Sequence, residues 1–163
     1  MASPNATITY TVTVTGSNGC SATDAVVVNV NKTPPVADAG PDKTLTCTTL
    51  TTAIGTAAVS GNTYAWSPAT GLNSVTIAQP TATPTVTTTY TVTVTGANGC
   101  TATDVVIVNV NKTPPVADAG VDKNLNCTTT STTIGSATVS GNTYSWSPST
   151  GLSSSTIAQP TAN

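Results

Sequence analysis

Histidine, arginine, glutamate and phenylalanine do not occur in this sequence, and all of its charge comes from four lysines and six aspartates in 163 residues. Without His or Glu the commonest proton-transfer groups are missing, and no serine or cysteine can be activated by an imidazole, which excludes hydrolase triads and leaves no expectation of an enzyme. Four scattered lysines and a formal charge of -2 offer no basic stripe to phosphates, so neither nucleic acid nor an anionic membrane surface is expected as a partner. Aromatic residues are scarce at 4%, limited to tyrosine and two tryptophans. What is abundant is threonine, about a quarter of the chain.

Long hydrophobic runs are missing as well. The longest, Ala25-Val26-Val27-Val28 and Val105-Val106-Ile107-Val108, are too short to span a bilayer, and no charged-then-apolar signal segment opens the chain, so no membrane insertion is expected. The opening Met1-Ala2-Ser3 is the expectation for a piece of something longer. An apolar fraction of 37%, carried by Val, Ala, Ile and Leu, suffices for a thin core.

Repetition decides the organisation. Shifted by 80 positions, the sequence falls on itself: Tyr10 on Tyr90, Cys20 on Cys100, Pro34-Pro35 on Pro114-Pro115, Cys47 on Cys127 and Trp66 on Trp146. Solenoid repeats run at about 20–50 residues because one unit cannot bury its own apolar face, whereas a longer period can close an independent small core. The chain therefore reads as an array of small domains. A Pro pair cannot donate to a ladder and favours a stiff extended spacer, so Asn31-Lys32-Thr33-Pro34-Pro35 and its copy at 111–115 are the natural seams. Cutting there leaves residues 33–112 as one complete repeat, 1–32 as the C-terminal part of a preceding one and 113–163 as the N-terminal part of a following one.

Strand signals are dense and helix signals absent. Residues 88–95, TTYTVTVT, alternate perfectly, with Tyr90, Val92 and Val94 on one face and threonines on the other, the pattern of a half-buried strand. Gly96-Ala97-Asn98-Gly99 then predicts a hairpin turn in which both Asn98 and Gly99 take positive φ. The returning strand, 101–110, is dense enough in apolar residues to predict a central strand covered on both sides or at a domain contact. Four shorter strands are expected over 43–48, 50–56, 63–67 and 75–78, and six or seven short strands in one repeat describe a small antiparallel β-sandwich.

The strings PPVADAGPDK, LTC, YAWSPATGL and TATPTVTTTYTVTVTGANGCTATD resemble, in that order, the immunoglobulin-like, PKD-like tandem repeats of giant cell-surface proteins from gliding Bacteroidetes-type bacteria, including mobile gliding adhesins. The resemblance covers the whole chain. It departs from the eukaryotic PKD pattern after Trp66, where Ser67-Pro68-Ala69-Thr70-Gly71 stands in place of an aromatic-Asp-Phe-Gly-Asp-Gly string. It implies export, display on the bacterial cell surface, and a stalk or adhesive role.

Among individual residues the cysteines carry the strongest chemistry. A metal site calls for C-x-x-C spacing or a His partner, and neither is present. A bond between Cys47, beside the second strand, and Cys100, just after the turn, is the expectation for the complete repeat. Closing that loop of 53 residues is worth roughly 4 kcal/mol in the chain-entropy model, and a disulfide implies an oxidising, extracellular compartment. Free buried thiols and a Cys20–Cys47 pair are the alternatives.

Trp66, with Tyr64 on the same face, is expected in the core rather than as a sugar-stacking platform, and Trp146 and Tyr90 likewise. Asp38, Asp42 and Asp104 make a conceivable Ca²⁺ set at the seam, but solvated loop charge is the simpler reading, and no cofactor or metal is expected. Thr11, Thr13 and Thr15 suit an outward strand face better than an ice-binding rank, which needs longer rows.

The function expected is structural: a repeat of an extracellular bacterial stalk, adhesin or filament, with a glycan- or protein-binding module as the alternative. Residues 1–32 are a hairpin with nothing to cover it, and 113–163 lack that hairpin. Self-association is therefore expected head to tail, with 113–163 of one chain completed by 1–32 of another and a Cys127–Cys20 bond across the pair. Closure within one chain is the rival.

Overall fold

The computed structural model describes residues 3–163 and falls into two compact units, the first ending at Lys112 and the second beginning at Thr113. It is all-β. Among the described residues there is no helix, and so none long and apolar enough to cross a membrane.

The first unit opens with β1 (Ile8–Thr15) and β2 (Ser21–Val28), an antiparallel hairpin in register from Ile8 opposite Val28 to Thr15 opposite Ser21. Among the described residues these two strands pair only with each other. The complete repeat follows with β3 (Lys43–Leu45), β4 (Thr52–Ala53), β5 (Thr63–Ser67), β6 (Thr81–Ala82), β7 (Thr88–Thr95) and β8 (Thr101–Val110). Two sheets result, β3-β8-β7-β5 and β4-β6, and they close as a sandwich over one core. Tyr90, Val92 and Val94 of β7 pack there with Trp66 of β5, Leu45 of β3 and Ala82 of β6. The alternation of TTYTVTVT is what makes this possible, because a period of two sends every apolar residue of β7 to the inner face.

The hairpin β7–β8 thus supplies both central strands of the larger sheet, flanked by β3 and β5. Its turn is closed by hydrogen bonds from the Gly96 amide to the Cys100 carbonyl (2.9 Å) and from the Gly99 amide to the Gly96 carbonyl (2.9 Å). Only Gly99 takes positive φ. Asn98 does not, contrary to the sequence expectation, because its side-chain oxygen is engaged instead in accepting from the Cys100 amide (3.1 Å).

One glycine is dictated by packing. Gly55 has a φ of +80°, and a Cβ there would collide with the Ala78 carbonyl oxygen and the Trp66 indole. Its amide donates to the Ala39 carbonyl (2.8 Å), which ties the seam-side segment to the floor under the tryptophan.

Four other expectations need correction. The β3–β8 pair is parallel, Lys43 opposite Val108 and Leu45 opposite Val110, so the larger sheet is mixed rather than antiparallel throughout. The strands expected over 43–48 and 50–56 shrink to β3 and β4, since only a few of their residues meet a partner strand. Residues 75–78 are bent, not a strand: the Val75 carbonyl accepts from the Trp66 amide (2.8 Å) and the Ile77 carbonyl from the Trp66 indole N–H (2.9 Å), so this segment wraps the tryptophan. Finally, β8 is central in its sheet but covered on one face only, with Val106 and Val108 buried and Val105 exposed.

The second unit repeats only part of this. Strands β9 (Thr132–Thr133) and β10 (Thr161–Ala162) pair as β4 and β6 do. The Trp146 amide donates to the Ser155 carbonyl (2.8 Å), the Ile134 amide to the Pro160 carbonyl (3.1 Å) and the Gly135 amide to the Ala119 carbonyl (2.9 Å), as their period copies do in the first unit. Residues 123–125 and 143–147, the copies of β3 and β5, are not strands.

Candidate functional site

The fold leaves two surfaces open. The first is the inner face of the β1–β2 hairpin. Tyr90, Val92, Val94 and Val106 are 0–1% exposed, whereas their copies Tyr10, Val12, Val14 and Val26 are 39%, 56%, 63% and 60% exposed. The hairpin register is the same in both, with Tyr10 opposite Val26 and Tyr90 opposite Val106. The strands therefore form from local pairing alone, and only their cover differs.

The second surface is the cleft in residues 113–163, about 520 Å³, whose lining includes Ala117, Ala119, Tyr144, Trp146 and Ala158. In the complete repeat, Ala37, Ala39, Tyr64 and Trp66 occupy the equivalent places and belong to the core or pack against it. Trp146 is half-buried where Trp66 is buried, although each indole N–H donates to its Ile carbonyl at 2.9 Å. Leu125 is 45% exposed where Leu45 is fully buried. Tyr64 and Tyr144 are half-buried, each hydroxyl accepting from the Val59 or Val139 amide at 2.9 Å.

Polar contacts of the complete repeat show what joins a hairpin to its cleft. The Asp104 carboxylate on β8 accepts from the Ala39 amide (2.8 Å), and the Asp42 carboxylate accepts from the Ile107 amide of β8 (2.8 Å). The Tyr90 hydroxyl, held above its ordinary range by burial, donates to the Thr70 carbonyl (2.7 Å). In the hairpin, the Asp24 carboxylate meets only the neighbouring Ala25 amide (2.8 Å) among side-chain contacts to backbone. The sequence had suggested Asp38, Asp42 and Asp104 as a remote Ca²⁺ set. Each instead accepts a backbone N–H, Asp38 from Gly40 (2.8 Å). Among the described residues no group of three or more acidic, Cys or His side chains could hold a metal.

The Asp104 clamp predicts a pH dependence. Its carboxyl is held below the usual carboxylate range, chiefly by the Ala39 amide, then by that of Val105, with burial opposing. A depressed folded-state value stabilises the fold fully above the ordinary Asp pKa of about 3.9 and loses that contribution as pH falls through the folded value. Thermal melts followed by circular dichroism should show the first unit weakening below about pH 4, and Asp104→Asn should flatten part of that decline.

All four cysteines are unpaired, and the strand register does not allow the bond expected between Cys47 and Cys100. Because β3 runs parallel to β8, Cys47 reaches Lys112, past the end of β8, and its thiol donates to the Lys112 carbonyl (3.6 Å). Cys100 precedes the first residue of β8. At about 3.3 Å per residue the two stand roughly 40 Å apart, against a limit near 7 Å between bridged Cα atoms. Residues 123–125, the copy of β3, form no strand, so no register relates Cys127 to Cys20. The sequence carried no signal that the strand before Cys47 runs parallel to its neighbour.

Comparison with known proteins adds little to this geometry. No protein-family model matches the chain. No curated protein is significantly similar to it. Among solved structures it is similar to the solution structure of the PKD domain from KIAA 1837 protein, at 24% identity over 54% of this chain and 98% of that one, with a TM-score of 0.42.

Proposed function

We propose that this chain is a non-catalytic structural repeat of an extracellular bacterial stalk, adhesin or filament, and that it assembles head to tail by exchange of half-repeats. The single observation carrying this reading is the matched pair of open surfaces: a preformed hairpin with Tyr10, Val12, Val14 and Val26 exposed, and a cleft whose two flanking segments stay out of strand conformation. In the complete repeat the corresponding hairpin sits between β3 and β5. Residues 1–32 of one chain entering residues 113–163 of the next would give 123–125 and 143–147 the partners they lack and provide a ladder and an apolar face together.

Completing the burial of these four side chains, each 39–63% exposed, is worth roughly 3–7 kcal/mol. The two added strand ladders and the Asp24 and Asp122 clamps act in the same direction, against an association cost of about 4–15 kcal/mol. Because the hairpin and the cleft are different surfaces, the contact is heterologous and propagates. The location rests on the resemblance to bacterial surface repeats. Sedimentation velocity and negative-stain electron microscopy of the intact chain are expected to show thin filaments at high concentration. A strictly monomeric species there overturns the reading.

A further inference from the structure

The complete repeat holds its two thiols near its two seams, not near each other. At the seam between the hairpin and the complete repeat, the Asn98 side-chain amide donates to the Asn31 carbonyl (3.3 Å), the Asn31 side-chain oxygen (3.2 Å) and the Thr33 carbonyl (2.9 Å). Asn98 also accepts from the amide of Cys100 (3.1 Å). Cys100 is thereby held beside residues 31–33, at the end of its repeat where the chain enters. Cys47 is held at the other end, its thiol on the carbonyl of Lys112, which is the period copy of Lys32. The complete repeat therefore carries one thiol near its entry seam at 31–33 and one at its exit seam at Lys112.

We propose that this protein is covalently stapled by disulfides between successive repeats, each joining a Cys47-type thiol to the Cys100-type thiol of the following repeat. This inference rests on the half-repeat exchange above. When residues 113–163 of one chain are completed by 1–32 of a second copy, Cys20 of the second copy is the entry thiol at the Lys112 seam and faces Cys47 of the first. Cys127 of the first becomes the exit thiol beside Lys32 of the second copy, where it faces that copy's Cys100. Every junction then carries two bonds, Cys47–Cys20 and Cys127–Cys100, and both join the same two chains. Three of the thiols are exposed and Cys100 is partly so, which leaves them open to an oxidant.

The chemistry balances with a small-molecule disulfide such as oxidised glutathione. One protein thiolate attacks it, forming a mixed disulfide and releasing one reduced glutathione; the facing thiolate then attacks the protein sulfur and releases the second. The protein loses two electrons and two protons per staple, and both leave as two molecules of reduced glutathione.

The test uses the intact chain, as an equal mixture of ¹⁴N- and ¹⁵N-labelled protein, assembled and then oxidised with glutathione disulfide. Peptide mapping is expected to find Cys47–Cys20 and Cys127–Cys100 pairs, about half with one light and one heavy peptide, and non-reducing electrophoresis a ladder that dithiothreitol collapses. A chain retaining only Cys127 and Cys100 should still give the ladder. One retaining only Cys47 and Cys100, or only Cys20 and Cys127, should lose it entirely. Mapping that finds Cys47–Cys100 or Cys127–Cys20 overturns the proposal, as do filaments whose four thiols remain free, an outcome that leaves the exchange itself standing. A monomer with four free thiols overturns both.

Discussion

Removal of residues 1–32 is expected to convert filaments into monomers while leaving the complete repeat folded. The hairpin β1–β2 lies outside the sandwich made by β3 to β8, and the core of that sandwich is drawn from residues after Ala37, so its loss removes no core residue. What disappears is the hairpin that the proposed exchange seats in the cleft of a neighbouring chain. The converse experiment uses the free peptide 1–32 added to intact chain. It should occupy the cleft of residues 113–163, cap growing ends and shorten filaments in proportion to its concentration. Sedimentation velocity and electron microscopy read both effects. Filaments of unchanged length in the truncated chain would mean that the association uses another surface.

Trp66→Ala is expected to cost about 3–5 kcal/mol, the range for emptying a large aromatic site in a core, and to abolish the bond from the indole N–H to Ile77. In a domain of this size each kcal/mol moves the midpoint by about 4–8 °C, so a fall of roughly 15–30 °C should appear in differential scanning calorimetry. The side chain is 5% exposed and forms the roof over Gly55, which leaves neighbours little freedom to collapse into the void. Trp146→Ala should cost less in dilute, unassembled chain, because Trp146 is only half-buried there. The gap between the two variants should narrow once filaments form and the cleft is covered. A midpoint fall below 5 °C for Trp66→Ala would show that the core does not depend on that side chain in the way its burial implies.

The sequence by itself determined the period, the all-β class and the inner face of the central hairpin. A period-two pattern such as TTYTVTVT has one apolar side whatever surrounds it, and β1–β2 and β7–β8 form in the same register in two different surroundings. It also determined that β5 would span 63–67, where Tyr64 and Trp66 alternate with small and polar residues. The Pro pairs at 34–35 and 114–115 interrupt pairing for local steric reasons.

Tertiary structure alone decided which strands stand side by side and in which direction. The parallel pairing of β3 with β8 depends on a contact between residues 65 apart, and nothing local to Lys43–Leu45 encodes it. That one pairing sets Cys47 beside Lys112, at the end of β8 away from Cys100. Strand formation at the edges was likewise not a local property. Residues 143–147 differ from β5 at one position, Ser145 for Ala65, yet only β5 is a strand, with Trp66 opposite Val92. A short segment gains its ladder bonds only when a neighbour is present to receive them, and among the described residues 143–147 pair with no strand.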